Sequence, residues 1–155
     1  MAFDVNDPAD LLELKTEIET DPTGLGYSDE NTSDDIALIN DTQQTITVSK
    51  PKISSALVRS ETTFDAYNNL SIDEQEWLRW MTGSNGFEEE NLTVTPDLRT
   101  QLTGPGTASI WAVADRDEMN TVMLSLIDVD GSRAEELFGY GASISINDWI
   151  AARNS

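Results

Sequence analysis

Residues that start and stop helices punctuate this chain so closely that it can hold only short helices joined by short links. Asp7 precedes Pro8, Asp21 precedes Pro22, and Gly83, the triplet Gly104-Pro105-Gly106 and Gly139 interrupt the chain further on. Proline lacks the backbone N–H that a helix interior needs, and glycine releases the chain into conformations closed to other residues.

The first helix is bounded on both sides. Asp7 can cap it, Pro8 suits the first helical position, and Asp10 sits near its positive end. Leu11, Leu14, Lys15 and Ile18 recur at helical spacing, with Leu12 alongside. A residue before proline avoids the helical region, so the helix is predicted to stop near Thr20. Gly24 and Gly26 then frame Leu25 in a tight connection to Tyr27. A second helix is predicted over 33–40, capped by Ser33 or Thr32, a third over 54–59, and a helical turn over 64–70. Ser71 followed by Glu74 is a capping-box pattern ahead of a helix over 72–82 closed by Gly83. A polar connection with Asn85-Gly86 and the run Glu88-Glu89-Glu90 follows, and Thr95-Pro96 opens another short helix to about Leu102.

The longest helix is predicted over 108–127, burying Ile110, Trp111, Ala114, Met119, Val122, Met123, Leu126 and Ile127. The polar interval from Asp115 to Glu118 is the place for a kink or split. Ser132 and Glu135 form a second capping box, with a helix ending at Gly139, and Asn147 is expected to cap a last helix carrying Trp149, Ile150 and Ala151.

One stretch reads differently. Thr45-Ile46-Thr47-Val48 alternates in the manner of a strand and Pro51 ends it. Segment 42–52 is predicted as an extended arm or short strand and contains Lys50 and Lys52, two of the three lysines. It reads equally as an ordinary surface loop or as a partner-binding segment. In the second case Thr45, Ile46, Thr47, Val48, Lys50 and Lys52 would pair with a strand of a neighbour. Together these elements predict a mainly α protein: a compact bundle of six or seven short helices, one helical domain over residues 1–155, with the arm or strand around 42–52.

Charge restricts function. The chain has 29 Asp and Glu against 9 Lys and Arg, a net charge of −20, and neither His nor Cys. Binding nucleic acid by phosphate neutralisation needs clustered Lys and Arg, so this balance argues against it. The commonest metal ligands and the usual acid–base group near neutral pH are missing. Without Cys there is no disulfide from which to infer a redox compartment. Four Trp, four Phe and three Tyr still supply large surfaces for a core. Residues 1–7 have neither a basic start nor an apolar run, and no secretory signal is expected from them. Apolar runs such as 110–114 are too short to span a bilayer, and an acidic surface is repelled by anionic leaflets. No membrane partner is expected.

No constellation amounts to a catalytic centre. The carboxylates of 88–90, of Asp34-Asp35 and of 115–118 read as solvated acidic faces. Asp128-Val129-Asp130-Gly131 suggests a calcium loop, but counting from Asp128 puts Arg133 where glycine is needed and Gly139 where the bidentate glutamate is needed. A helix-ending turn is predicted there instead. Gly24-Leu25-Gly26 and Gly139-Tyr140-Gly141 lack the strand–turn–helix setting of a phosphate loop. No serine has a His partner, and the lysines form no serine–lysine pattern. No catalytic residue, metal site or cofactor is expected. Trp77 and Trp80, three apart on one helix face, are expected in the core.

Several blocks, in order along nearly the whole chain, carry a resemblance: Leu14-Lys15-Thr16-Glu17-Ile18-Glu19-Thr20-Asp21-Pro22-Thr23-Gly24-Leu25-Gly26-Tyr27, then Leu70-Ser71-Ile72-Asp73-Glu74-Gln75, then Ser132-Arg133-Ala134-Glu135-Glu136-Leu137-Phe138-Gly139, and finally Ile146-Asn147-Asp148-Trp149. The pattern resembles a family of small structural proteins of tailed bacteriophages. This chain departs from it by its extra acidity, by Phe138 and Tyr140 around the last glycines, and by its lysine-bearing arm. The resemblance implies a non-enzymatic virion protein, assembled in the host cytoplasm, and carries over no catalytic residue. It implies a head–tail connector or adaptor of the neck: a homo-oligomeric ring that contacts portal, tail or other virion proteins. Genomic DNA would pass nearby without specific binding, since an acidic wall repels phosphates. A capsid-surface or tail-associated role, an acidic DNA mimic that inhibits a nucleic-acid enzyme, and acidity set by a high-salt habitat are the alternative expectations.

Overall fold

The computed structural model describes residues 2–28, 32–83 and 90–155. In chain order the first elements are α1 (Pro8–Thr20), α2 (Thr32–Asn40), β1 (Thr42–Ser49), β2 (Lys52–Ile53), α3 (Ser55–Glu61), α4 (Phe64–Asn68) and α5 (Ile72–Thr82). They are followed by β3 (Leu92–Thr93), α6 (Pro96–Thr103), α7 (Val113–Ile127), β4 (Asp128–Ser132), α8 (Arg133–Phe138) and α9 (Ile146–Arg153). The protein is mainly α, as expected. Nine helices stand among the described residues rather than six or seven, because even short α3 and α4 are properly formed, each with a capping side chain, Ser54 and Thr63. The polar connection predicted after Gly83 lies largely outside the described residues.

The chain divides into two compact units, one of residues 1–49 with 130–155 and one of residues 50–129. Each has its own hydrophobic cluster.

In the first unit, α1 follows its sequence signals. Asp7 Oδ1 accepts from the N–H of Ala9 at 2.9 Å, and Pro8 takes the first helical position. The helix ends at Asp21, whose backbone is left-handed at φ 39°. Both Asp21 carboxylate oxygens accept backbone N–H groups, from Leu25 and Gly26 at 2.8 Å each, which closes the turn leading to Tyr27. Leu14, Ile39, Ala134, Phe138, Ile144 and Trp149 fill the core. Phe3 meets Phe138 edge-on at 5.1 Å, and Tyr27 meets Trp149 at 5.2 Å. The Ser132–Glu135 capping box is complete.

Three local expectations for this unit are corrected. Thr32 and Ser33 lie within α2 rather than capping it. Asn147 lies inside α9, and the cap is Ser145, whose hydroxyl accepts from Asp148 N–H while Asp148 accepts in return from Ser145 N–H. Asp128 to Gly131 is no helix-ending turn but strand β4, which pairs with β1. Gly131 permits this: a Cβ there would stand 2.6 Å from a Val48 methyl, closer than any side chain tolerates.

In the second unit, β2 pairs antiparallel with β3, Lys52 opposite Thr93 and Ile53 opposite Leu92. Ile53, Val58, Leu78, Leu102, Trp111, Met119, Met123 and Ile127 are among the buried side chains. Thr95 caps α6 ahead of Pro96. Ser71 caps α5, and Glu74 answers through the Ser71 hydroxyl rather than its backbone N–H. Helix α7 starts at Val113, five residues later than predicted. Residues Gly106–Ala108 form a single 3-10 turn, and Ser109 and Ala112 are extended, with ψ 147° and 153°. The reason is non-local. Trp111 is buried with its indole N–H donating to Leu102 O at 2.8 Å, and Ile110 N–H donates to Gln101 O at 2.9 Å. These bonds strap residues 110 and 111 to α6. Ala114 is exposed rather than part of the stripe, and α7 runs unbroken through 115–118. Trp77 packs against the core, but Trp80 is 82% exposed, contrary to expectation.

Candidate partner-binding site

Segment 42–52 takes the strand alternative. β1 covers Thr42–Ser49 and already pairs with β4 inside the chain. Alternation along a strand sends successive side chains to opposite faces. Ile46 and Val48 are therefore buried, while Thr45 and Thr47 are exposed. Lys50 donates its backbone N–H to Ile127 O at 2.8 Å, and its ammonium pairs with Glu90. Lys52 is exposed in β2. Thr45, Ile46, Thr47 and Val48 belong to the first unit, Lys50 and Lys52 to the second. The buried side chains of Ile46 and Val48 serve the fold. Thr45, Thr47 and Lys52 remain accessible, and among the described residues β1 has β4 as its one sheet neighbour.

The first unit holds an ionic cluster that the sequence did not disclose. Glu17, on α1, is 2% exposed, and Arg133, the first residue of α8, grips it with both arms: Nε to Oε1 at 3.0 Å and Nη2 to Oε2 at 2.8 Å. The Tyr27 hydroxyl donates to Glu17 Oε1 at 2.9 Å, and Arg133 Nη1 donates to Glu136 at 2.7 Å. Burial raises the Tyr27 phenol above its ordinary pKa, and the hydrogen bond to Glu17 and the charges of Glu17 and Asp21 push the same way. The Arg133 guanidinium is raised chiefly by its hydrogen bond to Glu17. A carboxylate saturated in this way holds the fold and is poorly placed for proton transfer. Glu17, Tyr27 and Arg133 come from the first and third of the four sequence blocks quoted above, and Trp149 from the last packs against Tyr27. Those blocks are thus the joints of one folded unit.

Asp128, which suggested a cation loop, accepts both arms of Arg99, at 2.8 and 2.6 Å. Among the described residues no group of three or more carboxylates is placed to hold a metal ion, and no helix is long and apolar enough to cross a membrane.

The second unit contains a cleft of about 370 Å³ lined by Arg59, Thr63, Phe64, Tyr67, Arg79 and Thr82, with residues from α3, α4 and α5. Arg59 and Arg79 each stand in the last turn of their helix, where a cation suits the negative end of the dipole. The Arg79 guanidinium lies 5.9 Å from the centre of the Tyr67 ring. The sequence signal for this cleft was two isolated cations in an acidic chain, and nothing local tied them together.

Comparison with protein-family models, with curated proteins and with solved structures gives no match.

Proposed function

We propose that this chain is a non-enzymatic virion structural protein of a tailed bacteriophage, a head–tail connector subunit that assembles into a ring through which DNA passes. The observation that carries the reading is the joint organisation of the phage-like blocks. Glu17 and Tyr27 from the first meet Arg133 from the third, and Trp149 from the last packs on Tyr27. Three of the four blocks that carry the resemblance thus supply residues that depend on one another, which supports reading them as a structural signature as well as helix-cap grammar. Charge supports the placement. A net −20 on 155 residues repels phosphates, as the wall of a DNA passage must. Portal, tail or other virion proteins are the partners this reading requires.

Immunogold electron microscopy of virions tests it. Label at the axial vertex between head and tail is expected. Label spread over the capsid or along the tail would move the protein to those sites. Absence from virions, with a monomer that binds a nucleic-acid enzyme of the host, would replace the reading with the DNA-mimic one.

A further inference from the structure

Positive charge is scarce in this chain, so where it stands uncommitted is informative. Lys15, Lys50, Arg99 and Arg133 each pair with a carboxylate. Among the described residues Lys52, Arg59, Arg79 and Arg116 have no carboxylate within ion-pair distance, and of these Arg59 and Arg79 line the same cleft of the second unit. The threonine hydroxyls around them are occupied. Thr62 donates to Val58 O, Thr82 donates to Leu78 O, and Thr63 accepts from Ala66 N–H. The two guanidinium forks, with the Tyr67 hydroxyl in the same cleft, are therefore the groups left to receive an anion. A guanidinium matches a carboxylate or phosphate in bidentate geometry.

The surroundings select between these. Phe64 lines the cleft and is 79% exposed, and α5 also exposes Trp80 and Ile72. Aromatic residues and arginine together are the usual composition of a protein–protein contact, and a bare inorganic anion would leave the rings uncovered. The net charge of −20 repels a long polyanion and a second copy alike, and the copy differs in bringing apolar side chains to cover the rings. A second copy of the same chain brings 29 acidic residues against 9 basic ones, so any copy that approaches presents carboxylates.

We propose that the Arg59–Arg79 cleft is the acceptor half of a contact between copies of this chain, seating a carboxylate of the neighbour on the two guanidinium groups and an adjacent apolar side chain against Phe64. The ring reading requires the donor carboxylate to lie on a different surface from the cleft, which makes the contact head-to-tail. Such contacts close into rings or extend into filaments. The inference rests on the ring-forming reading above and names the surface through which the ring would form.

Sedimentation velocity of the full chain and of R59Q/R79Q, over a range of concentrations and from 50 to 500 mM NaCl, tests it. Both arginines are exposed, so the variant is expected to melt with the wild type. The wild type should associate with rising concentration, and more tightly as salt screens repulsion between two highly acidic bodies, since a desolvated contact pair is screened less than distant charges. R59Q/R79Q should associate at least about tenfold more weakly, the loss expected for one or more charge-assisted bonds. F64A, which keeps both charges, should weaken association as well. Equal association of wild type and R59Q/R79Q overturns the proposal while leaving the ring reading intact. A wild type that stays monomeric throughout also overturns it, and the immunogold result then decides the ring reading on its own.

Discussion

A carboxylate withdrawn almost wholly from water must be compensated where it sits, and Glu17 is compensated by a guanidinium and a phenol at once. Sequence spacing placed Glu17 on α1, near Leu14 and Ile18, without indicating that it faced inward. The missing information was its partner, which lies 116 residues away. Removing one member of such a pair strands the other charge in the interior. E17A or R133A is expected to cost about 3–5 kcal/mol, whereas E17M/R133L, which removes both charges and keeps the volume, should cost much less than the sum of the single changes. Urea denaturation of the four proteins measures this. Additive losses would mean that the two charges do not depend on each other. The indole N–H of Trp149, buried without a hydrogen-bond partner among the described residues, marks the opposite situation: the ring is kept for its packing against Tyr27.

At the scale of elements, legibility followed locality. α1, α5, α6 and α8 were placed closely because the signals that bound them lie within a few residues of their ends. The start of α7 was not legible, because Ile110 and Trp111 form a helical-looking stripe with Met119 and Met123 while hydrogen bonds to α6 hold them outside the helix. The strand at 128–132 was hidden by two aspartates and a glycine, all poor strand formers, and only the approach of Val48 shows why glycine belongs there. The cap of α9 was readable in principle: Ser145 and Asp148 stand at cap spacing, but Asn147 offered a plausible cap two residues on. The two residues now make opposite predictions. S145A removes half of a reciprocal capping box and should cost about 1 kcal/mol, whereas N147A, exposed inside the helix, should stay within about 0.5 kcal/mol. Thermal melts of both variants decide between them.

For the whole molecule, composition was the part of the candidate site that could be read directly, and its arrangement was not. The strand character and the two lysines of segment 42–52 are local properties and were visible. The burial of Ile46 and Val48 and the pairing of Lys50 with Glu90 depend on where the rest of the chain returns. The arginine cleft was legible only as two isolated cations, since it gathers side chains from three helices around residues that are unremarkable one by one. The net charge, by contrast, needs no structure to act. Self-repulsion among 29 acidic groups opposes any compact state, and the five ion pairs found among the described residues neutralise only a minority of them. Salt shortens the reach of that repulsion from about 10 Å at 0.1 M to about 3 Å at 1 M. The melting temperature is therefore expected to rise from 0.05 to 1 M NaCl, by roughly 2–4 °C for each kcal/mol of repulsion relieved in a chain of this size. Circular dichroism at a concentration too low for association keeps this apart from self-assembly. MgCl2 matched in ionic strength should give a similar rise if screening is the cause, and a much larger one would reveal a specific cation site. A chain unfolded at low salt and recovered only at molar salt would assign the acidity to habitat. A fold stable at low salt, with a modest rise, would leave the charge to be accounted for by what passes close to the protein.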